Sequence, residues 1–177
     1  MIIIACLGNP GKKYSKTRHN IGFLFGEMLS NTNSINIKQK SFNAISGTGK
    51  IEEIDCILLF PQTYMNNSGE SVQSCLSFYK EKPEHIIAIH DEIELPFGEC
   101  KFKFGGGHKG HNGIRSITSI CKTPDFHRLR FGVGRPDNPN IPVADFVLSN
   151  FTKEELLKIP EIYENLYSQL CNLIKEI

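Results

Sequence analysis

Three apolar segments of the chain run out into side chains suited to moving protons and holding a carbonyl. Ile2 to Leu7 leads to Asn9, Tyr14, Arg18, His19 and Asn20. Ile54 to Phe60 leads to Gln62, Thr63, Tyr64, Asn66 and Asn67, and His85 to His90 leads to Asp91, Glu92 and Glu94. A neutral imidazole such as His19 takes a proton from water near neutral pH, because its reference pKa is about 6.5. A carboxylate at Asp91 would fix its tautomer and stabilise its charged form. The carboxamides of Asn9, Asn66 and Asn112 supply uncharged donors and acceptors for a carbonyl and an attacking water. The G-x-S-x-G turn that presents a serine nucleophile is absent. This set therefore favours a base-activated water over a covalent intermediate.

A fourth contributor is the glycine-rich stretch from Gly105 to Gly113, which holds His108, Lys109, His111 and Asn112. Its glycines allow close backbone approach to a ligand, or motion of a lid. It lacks the GKS or GKT ending of a P-loop and is not a G-x-G-x-x-G turn after a strand. His90, Asp91, His108 and His111 keep a metal-dependent hydrolase open as an alternative, although the two loop histidines have no regularly spaced third ligand.

The elements that must position these groups follow from hydrophobic pattern. Ile2 to Leu7, Phe42 to Lys50, Ile54 to Phe60, His85 to His90, Glu99 to Phe104 and Phe126 to Val133 read as strands. Helical spacing covers His19 to Leu29, a segment capped by Asn66-Asn67-Ser68 and running to Tyr79, and Asn112 to Cys121. A last helix follows the capping box Thr152-Lys153-Glu154-Glu155. Alternating strands and helices predict one α/β domain over residues 1–177, a three-layer α/β/α fold with a twisted mixed sheet. The adjacent 42–60 pair supplies the antiparallel part as a hairpin. Ligands of open α/β sheets bind beyond the carboxyl ends of the strands, so the polar exits are expected to share one cleft.

Composition narrows the partners. The chain has 177 residues, of which 40% are hydrophobic and 22% charged, which suits a globular domain and excludes general disorder. The longest apolar run, Met1 to Leu7, is far short of the roughly 20 residues of a bilayer span, and the start lacks the basic residues of a secretory signal. A cytoplasmic protein is expected. The cysteines Cys6, Cys56, Cys75, Cys100, Cys121 and Cys171 are scattered without a C-x-x-C pair and read as reduced thiols. Charge is balanced overall but not locally. Residues 100–135 carry eight basic side chains against Asp125 alone, within a chain of net charge +1. Such a segment fits a nucleic-acid backbone as partner, or a solvated face paired with the acidic C-terminal part.

In combination, six strings resemble the bacterial peptidyl-tRNA hydrolase family. They are Leu7-Gly8-Asn9-Pro10-Gly11 with Tyr14; Thr17-Arg18-His19-Asn20-Ile21-Gly22; Pro61 to Gly69; His90-Asp91-Glu92-Ile93-Glu94-Leu95-Pro96; Lys101 to Gly113; and Phe126 to Pro136. The resemblance implies a monomer that needs no cofactor, metal or obligate protein partner. It implies cleavage of the ester between a peptide and the 3′ ribose of tRNA, which frees the tRNA for reuse. It implies His19 as catalytic base with Asp91 as its partner. It places Asn9, Asn66 and Asn112 around substrate and water, Tyr14 and Met65 along the cleft, and His111 at its edge. Lys103 and Arg130, with Lys101 beside them, are implied to grip the phosphate at the acceptor end near the 3′ CCA. Residues 135–150 are implied to form a mobile loop over the cleft, and the helix over 152–177 looks short. Cys6 and Lys109 depart from the family pattern, Lys109 standing where Gly is common. A non-catalytic RNA-binding module is the alternative, but it leaves His19, Asp91 and the three asparagines without a task.

Overall fold

The structure is a computed structural model that describes residues 1–177. Seven strands form one sheet: β1 (Ile2–Cys6), β2 (Gln39–Ser41), β3 (Ala44–Ile51), β4 (Ile54–Pro61), β5 (Ile86–Glu92), β6 (Cys100–Phe104) and β7 (His127–Gly132). Their order is β2-β3-β4-β1-β5-β7-β6. The central pairs β4/β1, β1/β5 and β5/β7 are parallel, and the pairs toward both edges are antiparallel. Five helices cover the sheet: α1 (Ile21–Asn33), α2 (Ser68–Tyr79), α3 (Asn112–Cys121), α4 (Val143–Val147) and α5 (Lys153–Glu176). This is the expected three-layer α/β/α arrangement with a mixed sheet, and no helix is long and apolar enough to cross a membrane.

Strands β1 and β5 are buried along their whole length, which is why they lack polar alternation. On one face, Ile4, Cys6, Ile87, Ile89 and Phe131 pack with Phe25 of α1 and Tyr163, Leu166 and Leu170 of α5. On the other, Ile3, Ala5, Leu59 and Ala88 pack with Val72 and Cys75 of α2 and Ile114 and Ile117 of α3. Gly22 allows the tightest approach at the site. A Cβ there would fall on the backbone of Leu7 and Ile89, so only Gly lets α1 start hard against the exits of β1 and β5. All six cysteines are free, four of them buried.

Three details differ from the sequence reading. The strand expected from Phe42 starts at Ala44, because Phe42 and Asn43 form a left-handed two-residue turn to the short polar edge strand β2. His19 lies not in α1 but in a 3₁₀ turn, Arg18–Asn20, ahead of it. Asn67 makes no side-chain cap to α2; a second 3₁₀ turn, Met65–Asn67, leads into that helix instead. The C-terminal helix α5 runs over 24 residues, and its capping box forms as expected.

Candidate active site

The carboxyl ends of β1, β4 and β5 bring their loops to one cleft. The exit of β1 is fixed by reciprocal asparagines. Asn9 N–H donates to Asn20 Oδ1 at 2.9 Å, and Asn20 Nδ2 donates back to the Asn9 carbonyl at 2.9 Å. Asn9 Oδ1 accepts from the backbone N–H of Met65 at 2.8 Å, which ties the exit of β1 to that of β4. The Nδ2 of Asn9 makes no hydrogen bond within the protein. Tyr64, at φ 60°, holds the strained left-handed backbone that throws the Met65–Asn67 turn outward and sets exposed Asn66 on the cleft. Asn9, Tyr14, His19, Met65, Asn66 and Asn112 all line this cleft, a cavity of about 310 Å³.

Asp91, at the end of β5, is almost fully buried and accepts from two imidazoles. His19 Nδ1 lies 2.9 Å from its Oδ1 and 3.0 Å from its Oδ2; His111 Nε2 lies 2.8 Å from Oδ1. A carboxylate only accepts, so the hydrogen-bond network assigns the proton of His19 to Nδ1 and leaves Nε2 as a free lone pair facing the cleft. The tautomer of His111 is fixed from both sides. Its Nδ1 accepts from the backbone N–H groups of Gly113 and Ile114, so His111 caps α3 and carries its proton on Nε2. His111 thus buttresses the carboxylate, and it also lines the basic cavity that adjoins the cleft.

Burial alone would push His19 toward the neutral form, but the charge of Asp91 and its hydrogen bond outweigh it and raise the pKa above the ordinary value. Burial would likewise raise Asp91, yet His19 and His111 hold its carboxyl well below the usual range. His90 stands apart. Burial, and then the neighbouring His111, push it down to about 3, so it stays neutral.

We expect His111→Ala to lose about 1 kcal/mol of stability, the usual worth of an N-cap. His111→Asn should recover most of that in denaturant melts, because asparagine caps α3 again. Both should lower kcat, since neither returns an imidazole N–H to Asp91. Equal melts for the two variants would refute the cap, and unchanged kcat would refute the buttress.

Beyond His19 the cleft continues into a basic cavity of about 400 Å³, lined by Lys103, Lys109, Arg128 and Arg130, with Asn112, Ala144 and Val147 shared between the two. Arg130 is paired with Glu92 at 3.4 Å. Lys101 does not line this cavity; it is exposed at the sheet edge and paired with Glu99 at 3.1 Å. Lys109 takes a left-handed backbone, φ 46°, which explains why Gly suits that position. The four residues of the metal-hydrolase alternative form no ligand cluster, although the ring centroids of His90 and His111 lie 4.8 Å apart. His108 Nδ1 accepts from Gly110, and His90 Nδ1 donates to the Asp91 carbonyl. A different trio, His19, Asp91 and His111, has possible ligand atoms within 4.8 Å, but those atoms are the ones hydrogen-bonded to one another.

Two arginines to which sequence reasoning attached no role hold the frame. Arg18 donates to Ser149 Oγ at 2.6 Å and the Asn150 carbonyl at 2.8 Å, pairs with Glu155 at 3.0 Å and stacks on Phe146. It thereby moors the 135–150 segment, whose α4 roofs the cleft, to the turn that carries His19. Buried Arg128 donates to the carbonyls of Gly106 and Gly107 at 2.6 and 2.9 Å, which pins the glycine-rich loop.

An imidazole bonded to a buried carboxylate at the strand ends of an open α/β sheet, among amides that can hold a carbonyl, is compatible with an enzyme of the ester hydrolase class. The peptidyl-tRNA hydrolase family profile matches residues 3–177. A peptidyl-tRNA hydrolase of Bdellovibrio bacteriovorus is 49% identical over 91% of this chain and 86% of its own length, and one of Geotalea uraniireducens is 44% identical over 98% and 90%. The crystal structure of peptidyl-tRNA hydrolase from Acinetobacter baumannii superposes with a TM-score of 0.92 at 41% identity, covering 99% of this chain and 89% of that one. The chain belongs to the peptidyl-tRNA hydrolase family.

Proposed function

We propose that this chain hydrolyses peptidyl-tRNA in the cytoplasm as a monomer, with His19 as general base, Asp91 as its partner and no metal in the reaction. The supporting observation is the one-sided hydrogen bonding of His19, whose Nδ1–H is fixed on Asp91 while Nε2 faces the cleft. Nε2 takes a proton from water, and the water oxygen bonds to the ester carbonyl carbon. The carbonyl π electrons pass to oxygen, and the resulting oxyanion accepts from the Asn9 and Asn66 amides. Collapse breaks the bond to the ribose 3′ oxygen, which leaves with the proton returned from His19. A free peptide carboxyl and a free tRNA result. Asn112 and Met65 shape the path of the acceptor end and the acyl group, Tyr14 flanks them, and the 135–150 segment covers the reacting centre.

The basic cavity takes the phosphate at the tRNA acceptor end, through Lys103 and Arg130, with Lys101 contributing field from outside the cavity. Removing one cation that holds a phosphate should flatten the salt dependence of affinity by a slope of roughly 0.7–0.9. The test is release of free tRNA from N-acetyl-aminoacyl-tRNA by purified protein, with and without EDTA, at two salt concentrations. Full activity in chelator is expected. Lys103→Ala and Arg130→Ala should each raise KM for intact peptidyl-tRNA and flatten its salt dependence, while sparing a minimal ester on a short 3′ fragment. Loss of activity in EDTA would refute the metal-free reading. Equal damage to both substrates would make the basic strip structural, and binding of tRNA without turnover would favour the RNA-binding module.

A further inference from the structure

On the far side of Asn9 lies a second cavity, of about 290 Å³, which the hydrolytic steps do not use. Asn9 lines both this cavity and the reaction cleft, and it is the partition between them. The partition is rigid, because both its backbone and its side chain are hydrogen-bonded to Asn20 and Met65. The direction of the substrate follows from the hydrolase reading, on which this inference rests. The ribose and its phosphates lie toward the basic cavity, which adjoins the cleft at His19 and Asn112. The acyl side of the ester then points the other way, past Asn9.

The apolar lining of this cavity is Phe23 and Leu24 of α1, Ile37, Ile45 and Phe60, beside the polar Ser15, Asn20 and Gln62. One carboxylate lies among them. Glu27 sits one helical turn beyond Phe23 and Leu24 on the same stripe of α1. It forms no ion pair and no hydrogen bond, and none of the lining residues is basic. The Glu27 side chain is exposed at the surface, and desolvation of the covered part of the carboxyl raises its pKa. A groove with an apolar patch and one acid among its lining residues suits a side chain with a methylene stem and a cationic tip, which packs its stem on Phe23, Leu24 and Phe60 and keeps its charge in solvent beside Glu27.

We infer that the cavity beyond Asn9 is a subsite for a side chain of the departing peptide, and that Glu27 makes it select lysine or arginine over an acidic residue.

The test uses acetyl-dipeptidyl-tRNAs that differ only in lysine or glutamate, placed either at the esterified residue or at the one before it. The ratio of kcat/KM for the lysine and glutamate substrates is measured in the wild type, Glu27→Gln and Glu27→Lys. Each ratio is taken within one protein, so the amount of folded enzyme cancels. At one of the two positions the wild type should favour lysine by about threefold to fivefold, the range of a partly exposed charge pair. Glu27→Gln should bring that ratio close to one, and Glu27→Lys should reverse it. A ratio that none of the substitutions moves, at either position, overturns the subsite while leaving the hydrolase reading standing. A wild-type protein that cleaves none of the esters overturns that reading and the subsite with it.

Discussion

Replacing His19 by alanine is expected to lower kcat by about 10²–10⁴-fold, the usual loss on removing a general base. The KM for peptidyl-tRNA and the melting temperature should stay near those of the wild type. The reason lies in where the neighbouring bases stand. His111 has its Nδ1 committed to two backbone donors of α3 and its Nε2–H to Asp91, so it offers no lone pair to water. His90 is withdrawn from the chemistry by burial and by its bond to the Asp91 carbonyl. No other imidazole in the cleft can take over. The fold should survive because Asp91 keeps the His111 donor and Gly22 still seats α1. A pH profile gives the second readout. The working form of His19 is neutral, so kcat/KM in the wild type should rise with pH through a midpoint above the ordinary histidine value, as the raised pKa requires. That limb should vanish in His19→Ala. A variant that keeps more than half of kcat would remove His19 from the mechanism.

Much of this frame was legible in the sequence, and the reasons are specific. Strands β1 and β5 are sandwiched between helices, and burial on both faces writes itself as an unbroken apolar run. Polar residues after such runs stand out, which is why Asn9, His19, Asn66 and Asp91 are visible as candidates from residue type and position. Strand β2 was not legible because Gln39-Lys40-Ser41 is a polar edge with no face to bury. The two hairpin turns rest on Phe42-Asn43 and Glu52-Glu53, of which only Asn43 is a residue that favours a left-handed backbone. The tethers made by Arg18 and Arg128 were hidden for another reason. Each guanidinium reaches partners far away in sequence, 131 positions for Ser149 and 21 for Gly107, and nothing in the residues flanking an arginine announces its acceptor. The same holds for His111, which the family resemblance puts at the edge of the cleft and whose loop position beside His108 suggested a metal ligand; nothing near it in sequence shows that its two ring nitrogens join a helix N-terminus to a carboxylate.

Asp91→Asn should be nearly as damaging as loss of His19, and for a reason that its small change in shape conceals. The Asp91 carboxylate accepts N–H bonds at both oxygens, Oδ1 from His19 and His111 and Oδ2 from His19. An amide replaces one of those acceptors with a donor. If its oxygen keeps the Oδ1 place beside His111, His19 Nδ1–H is left with one neutral acceptor that it shares with His111, and the amide N–H₂ in the Oδ2 place sets a second donor against it. Relief comes when His19 moves its proton to Nε2, which leaves a lone pair on the wrong nitrogen and none for water. The loss should therefore fall on kcat, on the order of 10²–10⁴-fold as for an absent base, with KM little changed. The pH profile separates this account from simple loss of substrate binding. In the wild type the charge and hydrogen bond of Asp91 raise the His19 pKa against the downward push of burial. With both removed, burial alone remains, and the residual activity should reach its plateau at lower pH than in the wild type. Asp91→Glu keeps the charge but displaces the oxygens, so it should retain a raised midpoint while still losing kcat. The measurement is kcat and KM for peptidyl-tRNA across about pH 5 to 9 for the three proteins, a span chosen to bracket the histidine range of about 6.5. A change confined to KM, or a midpoint that stays put in Asp91→Asn, would show that Asp91 holds substrate rather than the base.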